Sequence, residues 1–227
     1  MLLSDKQIIA VDHRFNNDEI VHDNTPSQLK KKLIGKTIKL LPPEKPCQGV
    51  YISIPMLWKR KGDLNNYWKD IVENDVITNF HAIKKIIHVE LQKHQLTNGK
   101  ENVYLINGKK RNTSKFSSSK GAILKNDFSF YKYTFLNTEN YKIHFTVKID
   151  DVIDGEPVHI LITKNDDGDI NRAKESLLRC HLAGIDKIIE ITENHSTFVT
   201  RYITTDELKQ MANNYDVNEA IDEIVNK

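Results

Sequence analysis

The sequence predicts a mixed α/β (α+β) protein: a central mixed β-sheet flanked by helices, with a βαβ unit near the C-terminus. Three observations lead there. "YKIHFTVKI" alternates with period two: Tyr141, Ile143, Phe145, Val147 and Ile149 face one way, and Lys142, His144, Thr146 and Lys148 the other. "VHILIT", a helical stripe through Ala173, Leu177 and Cys180, and "KIIEIT" follow with short joints, the order of a parallel crossover. The chain has 227 residues, 39% hydrophobic and 28% charged, enough to bury a core without disulfides. It reads as one domain, residues 1–227.

The elements follow in order. Ile8 to Val11 suits a short strand. Asn24-Thr25-Pro26-Ser27 is a helix-start signal before "QLKKKLI", and Gly35 is a stop. "KTIKLL" and "GVYISIP" have strand composition, separated by Pro42-Pro43. Asp63 can cap a helix through about Val72. Residues 77–95 admit two readings, taken up below. "VYLING" is a strand, residues 109–121 a loop, and "FSFYKYTFL" a strand. "DDVIDGEP" is a turn. Asp169 is a natural cap for the helix that Gly184 ends. "STFVTRYI" adds a strand, Thr205 and Asp206 open a helix, and "VNEAIDEIV" is a last amphipathic one.

The net charge of +2 hides an asymmetry. Residues 1–135 carry 23 Lys+Arg against 13 Asp+Glu, while 136–227 carry 10 against 18. A basic front and an acidic back suit a surface that meets a polyanion, although two solvated halves give the same count. Only Cys47 and Cys180 are present, which fits a reducing, cytoplasmic compartment and excludes an all-cysteine zinc site. Cys180 lies on a buried helical stripe and Cys47 at a turn, neither placed as a nucleophile. The start, "MLLSDKQIIAVDHRF", meets polar residues at once and does not read as a signal peptide. No apolar run approaches the ~20 residues of a membrane span.

The stretch "IIHVELQKHQ" carries the first candidate chemistry. As a strand it puts Glu90 and Gln92 on one face, with Lys93 behind and Asp75 or Asp70 upstream. Glu90-Leu91-Gln92 resembles the Gln variant of the (D/E)xK motif in nucleases of the restriction-endonuclease fold. The resemblance implies that Asp75 and Glu90 hold a Mg2+ ion that activates water, with Gln92 or Lys93 orienting it. As a helix the same region places Val76, Phe80, Ile83, Ile87 and Leu91 on one apolar face, and Glu90 becomes a rim residue.

Asp150, Asp151, Asp154 and Glu156, followed by Lys164, offer a second version of that triad. The glutamate position of the E-x-K motif is Ile162, a departure from the pattern, and an acidic turn explains the same residues. "HFT" at 144–146 and "HST" at 195–197 each match H-x-T. Two such motifs resemble the 2H phosphoesterases, which implies His144 and His195 as acid and base across a phosphodiester. Their separation of 51 residues is short for that family, and the chain lacks its two-lobed repeat. "NDDGDIN", 165–171, spaces oxygen ligands as calcium loops do. It lacks the EF-hand glycine position and terminal glutamate, so a turn into a capped helix accounts for it.

The basic loop 109–121 holds Lys109, Lys110, Arg111, Lys115 and Lys120 among hydroxyls, with no acid. Such groups neutralise phosphates. Trp58, Lys59 and Arg60 set an aromatic beside cations, suited to stacking on a base. The expectation is therefore a nucleic-acid-binding protein, DNA before RNA, that cleaves phosphodiesters as a restriction-endonuclease-type enzyme with magnesium. The alternatives are a non-catalytic nucleic-acid-binding or regulatory module and a 2H-like phosphoesterase. No membrane partner is expected, and a homodimer is compatible with this reading.

Overall fold

The computed structural model describes residues 8–12, 19–21, 27, 29–30, 33–39, 76–80, 83, 94–96, 103–105, 123–124, 128–139, 142–164, 169–194 and 196–225. Among these, twelve strands form two sheets, and the mixed α+β class is the one expected. The strands are β1 (Ile8–Asp12), β2 (Glu19–Val21), β3 (Thr37–Lys39), β4 (Val76–Asn79), β5 (His94–Leu96), β6 (Val103–Leu105), β7 (Phe128–Asn137), β8 (Lys142–Ile149), β9 (Asp151–Ile153), β10 (Glu156–Lys164), β11 (Lys187–Asn194) and β12 (Thr197–Ile203). The main helices are α1 (Asp169–Ala183), α2 (Thr205–Met211) and α3 (Val217–Val225). One sheet has the order β2-β1-β7-β8-β4-β6-β5 and the other β3-β12-β11-β10-β9, so the expected central sheet is divided in two.

The βαβ unit is present. β10 and β11 pair in parallel from Val158↔Lys187 to Lys164↔Glu193, with α1 between them in sequence. The apolar period of α1 buries Ala173, Leu177 and Cys180. They join one core cluster with Phe130, Phe145, Val147 and Ile149 of the larger sheet and Leu161 and Ile188 of the smaller. α1 thus links the two sheets. It ends where Gly184 takes φ +58°: Ile185 N–H donates to Cys180 O and Gly184 N–H to His181 O, which satisfies the last carbonyls. The opposite face of the smaller sheet buries Val158, Ile160, Ile189, Ile191 and Phe198 against Leu29, Ile123 and Leu124.

β7 and β8 form an antiparallel pair with Phe135 opposite His144 and Tyr133 opposite Thr146. β8 alternates as the sequence implies, yet both of its faces are covered: His144 and Thr146 are as buried as Phe145 and Val147. Asp150 alone separates β8 from β9, so the chain crosses from one sheet to the other at that residue.

Two expectations change. The helix read from "QLKKKLI" is absent at Leu29, which forms a β-bridge with Leu124, and only a short turn of 3₁₀ type stands at Leu33. Long-range bonds explain it. Leu29 N–H donates to the Asp151 carboxylate at 2.9 Å and Lys30 N–H to Ile123 O at 2.8 Å, competing with helical partners. Gly35, φ +79°, then lets the chain turn into β3, with its N–H on Thr200 O. The second change is at residues 77–95. Val76–Asn79 is a strand in parallel register with β8 and β6, not the start of the apolar helix. Phe80 and Ile83 are helical and buried, and His94–Leu96 is a strand paired with β6. The strands read at 50–54 and the helix at 63–72 lie outside the described residues.

Candidate functional site

The β7–β8 pair sets the first polar constellation. In an antiparallel ladder, diagonal neighbours lie within reach of long aromatic side chains. Tyr133 uses that diagonal: its hydroxyl lies 2.5 Å from His144 Nδ1, and the two rings stack at 5.9 Å and 15°. Phe135, opposite His144, tilts against it at 6.0 Å. Lys142 places its ammonium 5.2 Å from the centre of the Phe135 ring. The row therefore runs Tyr133, His144, Phe135, Lys142, from full burial to half-burial. His144 has no exposed surface, so the two-histidine reading requires the structure over it to open before a phosphodiester can reach the ring. His144 and Thr146 do share one face, as that reading needed.

The second constellation sits at the crossing between sheets. The Asp150 carboxylate accepts the Ile160 N–H at 2.7 Å and lies 2.9 Å from His159 Nδ1, off the line of a good hydrogen bond. His159 Nε2 is 2.9 Å from the Ser176 hydroxyl of α1. The order Ser, His, Asp matches a nucleophilic triad, but His159 and Ser176 are buried and Ser176 lies inside a helix. Here the three side chains fasten β10 and α1 to the crossing.

The third spans β10, β11 and β12, with Glu190 in the middle of β11 opposite Arg201 of β12. Thr163 donates to Glu190 at 3.0 Å, and Arg201 spans Glu190 at 2.7 Å and Glu207 at 2.6 Å. Glu190 is buried, and Arg201 is half out in solvent. On the other face, at the ends of β10 and β11, Lys164 pairs with Glu193 at 3.5 Å.

The acidic turn does not converge on an ion. Asp150 and Asp151 accept backbone N–H groups, Asp151 also accepts from Ser27 at 2.5 Å, and Glu156 pairs with Lys187 at 2.6 Å. Asp154 occupies the turn with φ +56°. Ile162 is partly buried against the smaller sheet's apolar face, so no glutamate of an E-x-K motif stands there. Among the described residues, no three His, Cys, Asp or Glu side chains are grouped to hold a metal. "NDDG", 165–168, lies outside the described residues, and α1 begins at Asp169.

Of the site residues read from sequence, the structure describes His144. Asp75, Glu90, Gln92, Lys93 and His195 lie outside the described residues, as do Trp58, Lys59, Arg60, Lys109, Lys110, Arg111, Lys115 and Lys120. Sequence reasoning missed Tyr133 as the partner of His144, the Asp150–His159–Ser176 set and the Glu190–Arg201–Glu207 set. The first two depend on strand register and on where α1 packs. Part of the third was visible, since Thr204-x-x-Glu207 is a capping-box pattern.

No family model and no curated protein sequence matches the chain. Solved structures do. S. pombe Rai1 in complex with 3'-FADP matches at TM-score 0.62 and 11% identity, covering 99% of this chain and 84% of that one. K. lactis Dxo1 in complex with manganese matches at TM-score 0.62 and 13% identity, covering 98% and 79%. Candida albicans Rai1 in complex with pU5 and Mn2+ matches at TM-score 0.56 and 14% identity, covering 96% and 76%. At these identities the likeness establishes the fold: this chain shares that of Rai1 and Dxo1.

Proposed function

We propose that the chain is an RNA-directed nuclease that cleaves phosphodiester bonds with a divalent cation. The observation that carries this reading is the fold shared with Rai1 and Dxo1 along almost the whole chain. Those proteins were crystallised with a dinucleotide, with pU5 and with manganese or calcium. This moves the expected polymer from DNA to RNA, and the expected ion from magnesium alone to divalent cations more broadly. The basic half of the sequence supports a polyanionic substrate.

Asp150, Asp151, Glu156 and Glu190 are engaged by protein groups, and among the described residues no three ligating side chains are grouped. The ion-binding role thus stays with Asp75 and Glu90 as proposed ligands. A divalent ion would supply a more acidic water and charge stabilisation at the phosphoryl oxygens. A second reading, a non-catalytic RNA-binding module, is favoured by Ile162 at the E-x-K position and by those engaged carboxylates.

The test uses fluorescent 5'-phosphorylated U5 with Mn2+, Mg2+, Ca2+ or a chelator, read by anisotropy and product length. Binding with metal-dependent shortening, abolished in Glu90→Gln, is expected. Binding without shortening under every metal would select the module. Absence of binding would overturn both.

A further inference from the structure

We propose that Phe135 and Lys142 form a base-and-phosphate subsite for single-stranded RNA at the turn end of the β7–β8 ladder. The inference rests on the RNA reading above and names a place for the polymer. Along this face Tyr133 and His144 are buried, and the row reaches half-buried positions only at Phe135 and Lys142. An aromatic ring beside an ammonium is the pair that single-strand binders use: every base has a π-face, and each phosphate takes a cation.

The geometry sets the two groups side by side. The Lys142 ammonium sits 5.2 Å from the Phe135 ring centre, an interaction of modest strength at a partly exposed site. The ring offers a surface for a base and the ammonium a charge for the adjoining phosphate. The ring is backed on one side. His144 tilts against Phe135 at 6.0 Å, and His144 is in turn held by the Tyr133 hydroxyl and by stacking on its ring. Phe135 is therefore a preorganised platform, which lowers the ordering cost of binding.

The experiment measures binding of 5'-phosphorylated U5, and of an abasic oligomer of equal length, to wild type, Phe135→Leu, Phe135→Trp and Lys142→Gln. Phe135→Leu should weaken U5 binding by about 10-fold and leave the abasic oligomer unchanged. Lys142→Gln should weaken both and flatten the salt dependence by roughly 0.7 of a log unit per log unit, the effect of one phosphate on a single strand. Phe135→Trp should keep affinity and show fluorescence quenching by U5 beyond that of Trp58 and Trp68 in the wild type. If Phe135→Leu does not fold, the Trp variant decides by its quenching. Wild-type binding with no loss in Phe135→Leu and no added quenching would overturn the subsite and leave the RNA reading intact. A wild type that binds neither oligomer would instead overturn the RNA reading itself.

Discussion

Thr204 and Glu207 show how a few residues set a local structure. The Thr204 hydroxyl accepts the Glu207 N–H at 3.1 Å, and the Glu207 carboxylate accepts the Thr204 N–H at 2.8 Å. Arg201 holds the other carboxylate oxygen. The Thr204 N–H first, and the Arg201 guanidinium next, keep the Glu207 carboxyl below its usual range. A depressed carboxylate contributes stability that is present above the unfolded-state value and is lost as pH falls through the folded one. Thr204→Ala should cost about 1 kcal/mol at neutral pH. Glu207→Gln should flatten the acid limb of the stability profile below about pH 4. Urea unfolding at pH 7 and in the acid range checks both, and an unchanged acid limb would remove Glu207 from the cap. Read from sequence, this helix opens at Thr205, one residue past its Thr204 cap, whereas Cys180 was legible. Its place on the α1 stripe marked it as core, and burial pushes its thiol up to about 12, so it remains protonated at neutral pH.

Elements were legible where period and local chemistry agreed with long-range pairing. α1 is the clear case: its stripe and its glycine stop appear in the sequence, its first residue is the Asp169 expected as the cap, and Ala173, Leu177 and Cys180 are buried. Leu177→Ala should destabilise by ~2–5 kcal/mol, because the cavity opens in the cluster that joins both sheets. Equilibrium denaturation measures this, and a loss under ~1 kcal/mol would mean that α1 does not carry the joint. Where distant groups compete, the period misleads. Leu29 sits in a helical-looking run, yet its N–H goes to Asp151, 122 residues away. Val76–Asn79 fits a helical stripe, yet parallel neighbours on both sides make it a strand. Nothing local to those segments encodes Asp151, β6 or β8.

At the scale of the molecule, the shared fold persists at 11–14% identity across nearly the whole chain. Patterned burial at this identity preserves the architecture without fixing the chemistry. That is why the class and the βαβ unit could be read, while the sheet division and the polar constellations could not. The charge asymmetry is the one whole-chain property that bears directly on a partner. If residues 1–135 face RNA, the loop with Lys109, Lys110 and Arg111 should supply cations to phosphates and carry no sequence information. Replacing all three by Gln should weaken binding to every single-stranded sequence alike. It should also flatten the salt dependence by roughly 2 log units per log unit, about 0.7 for each phosphate no longer neutralised. The affinity ranking among different sequences should stay as it was, since the bases are not touched there. A salt slope equal to that of the wild type would take this loop out of the interface. A changed ranking with an unchanged slope would assign the loop to the base edges instead.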